Sequence, residues 1–437
     1  MFTALLAPLL TTSLTSQLVI GAARADEVRE QIDWQAHPAM HIPWRVYGPG
    51  LTDARPELTY KHALTQTMHT PYLDASGVRI LMAGAMAAEK AKNPAQARAL
   101  ILEQLAYVED FVAANPERYV LARTPDQARD ALSTTDKMVV IHSIEGGRMI
   151  LTEPDDAEFW AEQGVALITV THLLDDELGG AASNAGLLGW LLNPAAARKR
   201  RRGKDRGLTE RGREVIVELD RAGILVDLTH MSPQAIDETL AITAASGIPP
   251  VVTHGKLSAI QDVERAFTDA QVVAIYQQGG VFNLAVSGDA LHASDNTVPE
   301  PPGYCPGTLD GFRWHYETLQ DILDDNIDAL FGVQGRASLT EAQRTALATG
   351  WASDWNGGIG HSLPKYGRGR CEPLANLPAP ALDLDTLGLA HPGLLPQYWR
   401  RLSEAGMDLD PMLRSAERFL QLWERALTPV AEREETL

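Results

Sequence analysis

The amino-acid sequence predicts an α/β protein folded as a (β/α)8 TIM-type barrel. Short apolar runs alternate with helical segments, and the polar residues within these runs fall at their carboxyl ends. Two neighbouring runs, residues 224–230 and 250–254, show the pattern most clearly, because each ends in a histidine. Both are too short for a helix and lack the polar alternation of a half-exposed strand. We therefore predict two fully buried parallel strands.

The segment between these two runs is predicted to be a helix. Ser232 stands at its N-cap position, Pro233 at its first helical position and Gly247 at its end. Strand, helix and strand then make a β-α-β unit, in which the helix is the crossover that joins two parallel strands.

Six further apolar runs bring the predicted number of barrel strands to eight. Capping residues such as Asn93 and Thr124 mark the helices between them. A long loop at residues 287–311 and amphipathic helices at residues 394–406 and 411–426 complete the predicted fold. The six runs are residues 32–38, 77–84, 138–145, 164–172, 280–286 and 348–354.

The composition restricts the classes of partner. The formal net charge is −19, which argues against binding to nucleic acid or to an anionic membrane surface, since both attract clustered positive charge. No run approaches the roughly 18 consecutive apolar residues of a transmembrane helix. We therefore expect a small polar substrate, no nucleic acid and no transmembrane segment.

The first 25 residues resemble a signal peptide in part. Residues 5–20 are apolar, and Ala23 and Ala25 have the small-x-small spacing of a cleavage site, although the positive n-region is missing. We expect export to the periplasm or the extracellular space, with a cytoplasmic location as the alternative. Cys305 and Cys371 would form a disulfide in an exported protein and remain free thiols in a cytoplasmic one.

The polar residues at the strand ends predict a metal site. The carboxyl ends of parallel strands meet on one face of a barrel, so His37, Glu145, His230 and His254 are expected to converge there. Imidazole and carboxylate are ligands of zinc, and a carboxylate often bridges a second cation. Bound zinc lowers the pKa of water to about 7. Asp354, on the last predicted strand, could accept a proton from that water and pass it to a leaving amine.

Several motifs together resemble the renal or membrane dipeptidase family of zinc peptidases, within the amidohydrolase superfamily. The resemblance covers residues 30–426, nearly all of the chain that follows the candidate signal segment. The motifs are IEGG at residues 144–147, LITVTH ending at His172, residues 207–230 ending in LVDLTH, VVTH ending at His254 and ASDWNG around Asp354.

The resemblance implies an amidohydrolase-like barrel, over residues 26–437 as a single metal-dependent hydrolase domain, that cleaves dipeptides at a two-zinc site. Glu145 would bridge the cations, and His230 and His254 would bind one of them. His172 would contact the substrate carbonyl, and Asp354 would be the acid/base. Arg265 would hold the terminal carboxylate of the substrate, for which the planar fork of a guanidinium is suited.

One departure from the family concerns the first strand, which in the family ends in His-x-Asp or His-x-His. This chain has Gln35, Ala36 and His37 there. An amide oxygen is a weaker ligand for zinc than imidazole, so we expect one or two zinc ions per chain, with Gln35 as a doubtful ligand. A shifted alignment would instead pair His37 with His41.

Two other functions remain open. One is an amidohydrolase that acts on a lactone, a cyclic amide or an N-acyl amino acid. The other is a catalytically impaired barrel that only binds a ligand, because Gln35 replaces an expected histidine. Homodimer formation is one expectation for the assembly, which the sequence does not decide.

Overall fold

The structure is a computed structural model, and it describes residues 30–45, 50–54, 68–86, 90–182, 206–293 and 297–429. The candidate signal segment, residues 1–25, lies outside the described residues. Among the helices in these ranges, none is both long and apolar enough to cross a membrane.

Eight parallel strands close into a barrel, which confirms the predicted fold. Each strand pairs with its neighbours in chain order, and the last pairs with the first through Asp33 and Trp351. The chain therefore winds once around the barrel with helices outside it. The strands are β1 Gln31–Ala36, β2 Val78–Ala85, β3 Met138–Glu145, β4 Val165–Thr169, β5 Leu225–Asp227, β6 Val251–Gly255, β7 Val281–Ala285 and β8 Trp351–Ala352.

Within the described residues, three short strands lie outside the barrel, and the sequence pattern did not predict them. Tyr119–Leu121 pairs with the first residues of β3. Leu51–Thr52 and Met68–His69 form a separate parallel pair. Segments of two or three residues are too short to show a period, so their pairing is decided by tertiary contacts.

The helices begin where the capping residues predict. The side chains of Asn93, Thr124, Thr209 and Ser232 each accept a hydrogen bond from a backbone N–H in the first turn of a helix. Residues Leu309–Asp325 and Ile327–Phe331 form two successive helices. The α-helices are Thr70–Asp74, Pro94–Ala114, Pro125–Thr134, Asp156–Glu162, Glu210–Arg221, Pro233–Ser246, Asp269–Gln277, Leu309–Asp325, Ile327–Phe331, Glu341–Ala346, Asp383–Leu387, Leu395–Glu404, Asp410–Leu413 and Ser415–Leu427.

The C-terminal helix Ser415–Leu427 closes one end of the barrel. Its Phe419 and Trp423 pack in one buried cluster with the first residues of the barrel strands, and Phe419 meets the Trp34 ring edge-on at 5.3 Å between centroids. Arg129 fixes the helix from the side through a bidentate pair with Glu417, at 2.7 and 2.9 Å. The amino end of the barrel is therefore packed, and the opposite end is left for the site.

Two of the loops at the carboxyl end are tied together by a disulfide. Cys305, in the loop after β7, bonds to Cys371, in the long segment after β8. Of the two alternatives for these cysteines, the structure contains the disulfide. The loop after β7 is also shorter than predicted, because residues Gly288–Leu291 form a 3-10 helix and the next α-helix begins at Leu309.

Candidate metal centre

Five polar side chains meet at the carboxyl end of the barrel. Glu145 and His254 lie within β3 and β6, near their ends, while the others follow strands by one to three residues. Four of them are no more than 6 % exposed, although each carries a group that water would normally solvate. The five are His37, Glu145, His230, His254 and Asp354.

The first donor group consists of Glu145, His230 and His254. Glu145 Oε1 lies 3.2 Å from His230 Nε2 and 3.5 Å from His254 Nε2, and the two imidazole nitrogens are 3.1 Å apart. This buried oxygen nevertheless makes no hydrogen bond with the described residues. Two nitrogens and one oxygen that face one another in this way are a donor set that suits a zinc ion.

The second donor group uses the other oxygen of the same carboxylate. Glu145 Oε2 lies 3.2 Å from His37 Nε2, and Asp354 Oδ1 lies 2.9 Å from the same nitrogen. Glu145 thus belongs to both groups. Sequence reasoning had given Asp354 only a proton-transfer role, and no spacing in the chain indicates that it also lies within ligand distance.

The electrostatics of the centre separate its histidines into two kinds. Burial lowers the pKa of His230, and the Arg265 guanidinium lowers that pKa further. Burial and Arg265 also lower the pKa of His254. Both imidazoles are therefore neutral, as a metal ligand must be. Burial alone would lower the pKa of His37, but hydrogen bonds to Asp354 and Glu145 raise it to about 10.

The two carboxylates of the centre are held in the ionised form. Burial would raise the pKa of Glu145, but the imidazoles of His172, His230 and His37 hold that pKa well below its ordinary value. Burial likewise opposes ionisation of Asp354, and the hydrogen bond with His37 outweighs it and lowers the pKa.

Two buried aspartates lie beneath the centre, and sequence reasoning missed both. Asp227 accepts a hydrogen bond from Thr253 Oγ1 at 2.9 Å, and this hydroxyl is also 2.9 Å from His254 Nδ1. Asp33 accepts from Ser353 Oγ at 2.5 Å, next to Asp354, and burial raises the Asp33 pKa to about 7. The sequence signal that could have identified both aspartates is a carboxylate within an otherwise apolar strand. Such supports orient metal ligands.

The two residues expected to handle substrate also lie at the centre. The His172 ring meets the His230 ring edge-on at 4.4 Å between centroids. Arg265 Nη2 is 2.6 Å from His230 Nε2. Its Nε is buried and has no hydrogen-bond partner among the described residues, so one edge of the guanidinium remains available to an acceptor.

The structure places Gln35 at the centre and His41 away from it. The buried amide of Gln35 lies against the second donor group, with Nε2 3.3 Å from His37 Nε2. His41 faces elsewhere: its Nδ1 accepts a hydrogen bond from Gly50 N at 3.1 Å, and its ring packs on Tyr107. The alternative pairing of His37 with His41 therefore places no second ligand at the centre.

Comparisons with known proteins address the family and the fold of the chain. The model of the membrane dipeptidase family, peptidase family M19, matches residues 36–334. An uncharacterised dipeptidase of Schizosaccharomyces pombe is 28 % identical over 159 residues, which are 36 % of this chain and 34 % of the relative. Dipeptidase 3 of Mus musculus is 24 % identical over 195 residues, which are 45 % of this chain and 36 % of the relative. The matched part thus spans about a third of the length of these relatives.

Solved structures share the fold over almost their whole length. A metallopeptidase of family M19 named dipeptidase AC superposes with a TM-score of 0.62 at 16 % identity, covering 92 % of this chain and 99 % of that one. A metallopeptidase of Rhodobacter sphaeroides, bound to a phosphinate mimic of the dipeptide L-Ala-D-Ala, gives a TM-score of 0.61 at 16 % identity, with 92 % and 100 % covered.

Proposed function

The chain belongs to the membrane dipeptidase family, and we propose on this premise that it is a metal-dependent dipeptidase. One observation carries the proposal: the two oxygens of the buried Glu145 face two separate donor groups, one with His230 and His254, the other with His37 and Asp354. A carboxylate shared in this way could serve both members of a pair of hydrolytic cations.

The donor atoms of the two groups favour zinc as the metal, and they differ in the affinity expected for it. Bound divalent cations supply a Lewis acid for the carbonyl oxygen and lower the pKa of water. Glu145, His230 and His254 would hold one zinc ion. His37, once it has released its proton, would hold the second together with Glu145 and Asp354, with the Gln35 amide turned to present its oxygen. Because this second set has one imidazole and more oxygen donors, it should bind zinc less tightly.

The residues around these positions have separable roles in the proposed reaction. Asp354 is ionised and hydrogen-bonded to His37, so it can take a proton from the attacking water and return it to the leaving amine. Its side chain is 13 % exposed, more than the other carboxylate of the centre, and can therefore reach the cleft. His172 borders the same space and would donate to the carbonyl oxygen of the substrate.

Arg265 would limit the substrate to one residue on the carboxyl side of the scissile bond. Its guanidinium contacts His230 directly, and its Nε has no partner among the described residues. A carboxylate bound there lies within about one residue of a peptide carbonyl at the metal centre, since one residue spans at most about 3.6 Å. A longer chain on that side of the scissile bond would have no free carboxylate at this position.

The experiment is hydrolysis of a dipeptide panel, including D-configured second residues, by the purified protein before and after chelation and after zinc return. Cleavage that chelation abolishes and zinc restores is the expected result. Asp354→Asn, with zinc content measured alongside, is the control for contaminating peptidases, because it should retain zinc at the first donor group and lose most turnover. A folded, zinc-loaded protein that cleaves no dipeptide would refute the proposal.

We also propose that residues 26–437 act as one exported domain. The Cys305–Cys371 disulfide supports export, because such bonds persist in oxidising compartments and are rare in the cytosol. Fractionation of cells that express the full chain should place it in the periplasm or the medium. Protein that remains in the cytoplasm with two titratable thiols would contradict this.

A further inference from the structure

A buried arginine joins three of the loops that surround the metal centre. Arg206 Nη2 lies 2.7 Å from Asp175 Oδ1, and Nε lies 3.1 Å from Asp175 Oδ2, which is a bidentate pair. Arg206 Nη1 donates to Glu264 Oε1, and Nη2 also donates to the carbonyl oxygen of Ala181. The side chains of Arg206, Asp175 and Glu264 are all buried.

The partners of Arg206 belong to the loops that carry the proposed substrate residues. Asp175 follows His172 in the loop after β4, and Glu264 directly precedes Arg265 in the loop after β6. The backbone of Arg206 makes the third connection, because its carbonyl oxygen accepts from Ser232 Oγ at 2.6 Å in the loop after β5.

We propose that Arg206 is a positioning residue that holds Arg265 ready for the terminal carboxylate of the substrate. The proposal rests on the dipeptidase function proposed above. Its physical basis has two parts. The fork of Arg206 fixes Glu264, and through it the backbone at Arg265, against the loop of Asp175. Arg206 also neutralises two buried carboxylates that would otherwise draw Arg265 away and repel an anionic substrate.

A purely structural brace is the alternative, and the chain offers a matched example of one. Arg129 also pairs with two carboxylates, Glu417 and Glu424, but it does so beside the C-terminal helix at the opposite end of the barrel. Loss of either arginine should lower stability, since each loss removes the guanidinium charge that offsets two carboxylates. Only loss of Arg206 should change the preference of the protein for a substrate with a free terminal carboxylate over the same substrate with a terminal amide.

The experiment therefore compares Arg206→Met with Arg129→Met on a dipeptide and on its C-terminal amide. The readout is the ratio of kcat/KM for the two substrates, which partial unfolding does not change. Arg206→Met should lower the ratio by about ten- to a hundredfold, mainly through KM for the acid, because a small displacement of a binding group has effects of this size. Arg206→Lys should restore part of the ratio, and Arg129→Met should leave it unchanged.

A double-variant test checks that the effect passes through Arg265. Arg265→Met alone should remove the preference for the acid, and adding Arg206→Met should then change the ratio no further. If Arg206→Met fails to fold, Glu264→Gln replaces it, because this variant keeps the pair between Arg206 and Asp175 and should lower the same ratio. A ratio equal to that of Arg129→Met, in whichever variant folds, would overturn the proposal.

Hydrogen exchange distinguishes failure of this inference from failure of the dipeptidase function. Backbone amides of residues 258–267 should exchange faster in Arg206→Met than in Arg129→Met, whether or not the chain cleaves dipeptides. Equal exchange rates in the two variants would overturn the proposal that Arg206 holds the loop of Arg265 in place. If the wild-type chain is inactive, calorimetric binding of the dipeptide and its amide replaces kcat/KM in the same comparison. Inactivity with faster exchange and weakened acid binding would refute the dipeptidase function alone.

Discussion

Thr253→Val should weaken both the fold and the binding of zinc by His254. The carboxylate of Asp227 accepts five hydrogen bonds, from Thr169 Oγ1 and from the backbone and hydroxyl groups of Thr229 and Thr253. Because the Thr253 hydroxyl donates to this carboxylate, it accepts from His254 Nδ1. The Nε2 of His254 is then left with its lone pair facing Glu145.

The magnitude follows from the groups that valine would leave unpaired. Valine has nearly the shape of threonine, so Thr253→Val removes the hydroxyl without creating a cavity. The Nδ1–H of His254 loses its acceptor at a position only 1 % exposed, and Asp227 loses one of its five donors. We expect the free energy of unfolding to fall by about 2–4 kcal/mol. The zinc dissociation constant should rise by about 10- to 100-fold, since the ligand loses its orientation.

Denaturant unfolding and zinc competition with a chromophoric chelator measure the two effects. Thr253→Ser keeps the hydroxyl and should retain most zinc affinity. Thr171→Val is the matched control, because the Thr171 hydroxyl is fully buried but has no hydrogen-bond partner among the described residues. That substitution should change stability little. If Thr253→Val matched Thr171→Val in stability and Thr253→Ser in zinc affinity, the proposed orientation of His254 would be wrong.

Three further predictions concern turnover, the second cation and pH. Asp354→Asn should lower kcat by about 10²- to 10⁴-fold while zinc at the first donor group persists, as measured by steady-state kinetics and metal analysis; near-wild-type turnover would exclude its proton-transfer role. Gln35→His should increase the affinity of the second donor group for zinc and so raise the zinc content of dialysed protein. An unchanged zinc content would show that Gln35 is not a ligand. Burial lowers the pKa of His315 to about 4 from an ordinary value of 6.5, so the folded state stays neutral where the unfolded state binds a proton. Stability should therefore fall by about 3 kcal/mol as pH drops from about 6.5 to 4, and His315→Gln should flatten that part of the unfolding profile; an unchanged profile would refute it.

Much of the fold could be predicted because it depends on local sequence. A buried strand needs a run of apolar residues, and a helix needs a residue such as Asn93 or Ser232 to accept from its free N–H groups. Both requirements are met within a few neighbouring positions. The same logic placed all five residues of the candidate centre at the carboxyl ends of strands, because these ends must meet on one face of the barrel. The short strand Tyr119–Leu121 was missed because three residues carry no period.

Tertiary structure decided which distant groups pair. The sequence shows that Asp227 and Arg206 are ionisable, but it does not show that they are buried or which groups form their hydrogen bonds and ion pairs. Nor does it show that Asp354 comes within 2.9 Å of His37, since residues so far apart in the chain meet only when the barrel closes between β8 and β1. Apolar periodicity depends only on residues that are close together in the chain, so it can be recognised from the sequence. The partner of a buried charge is selected by packing, and only the folded chain determines it.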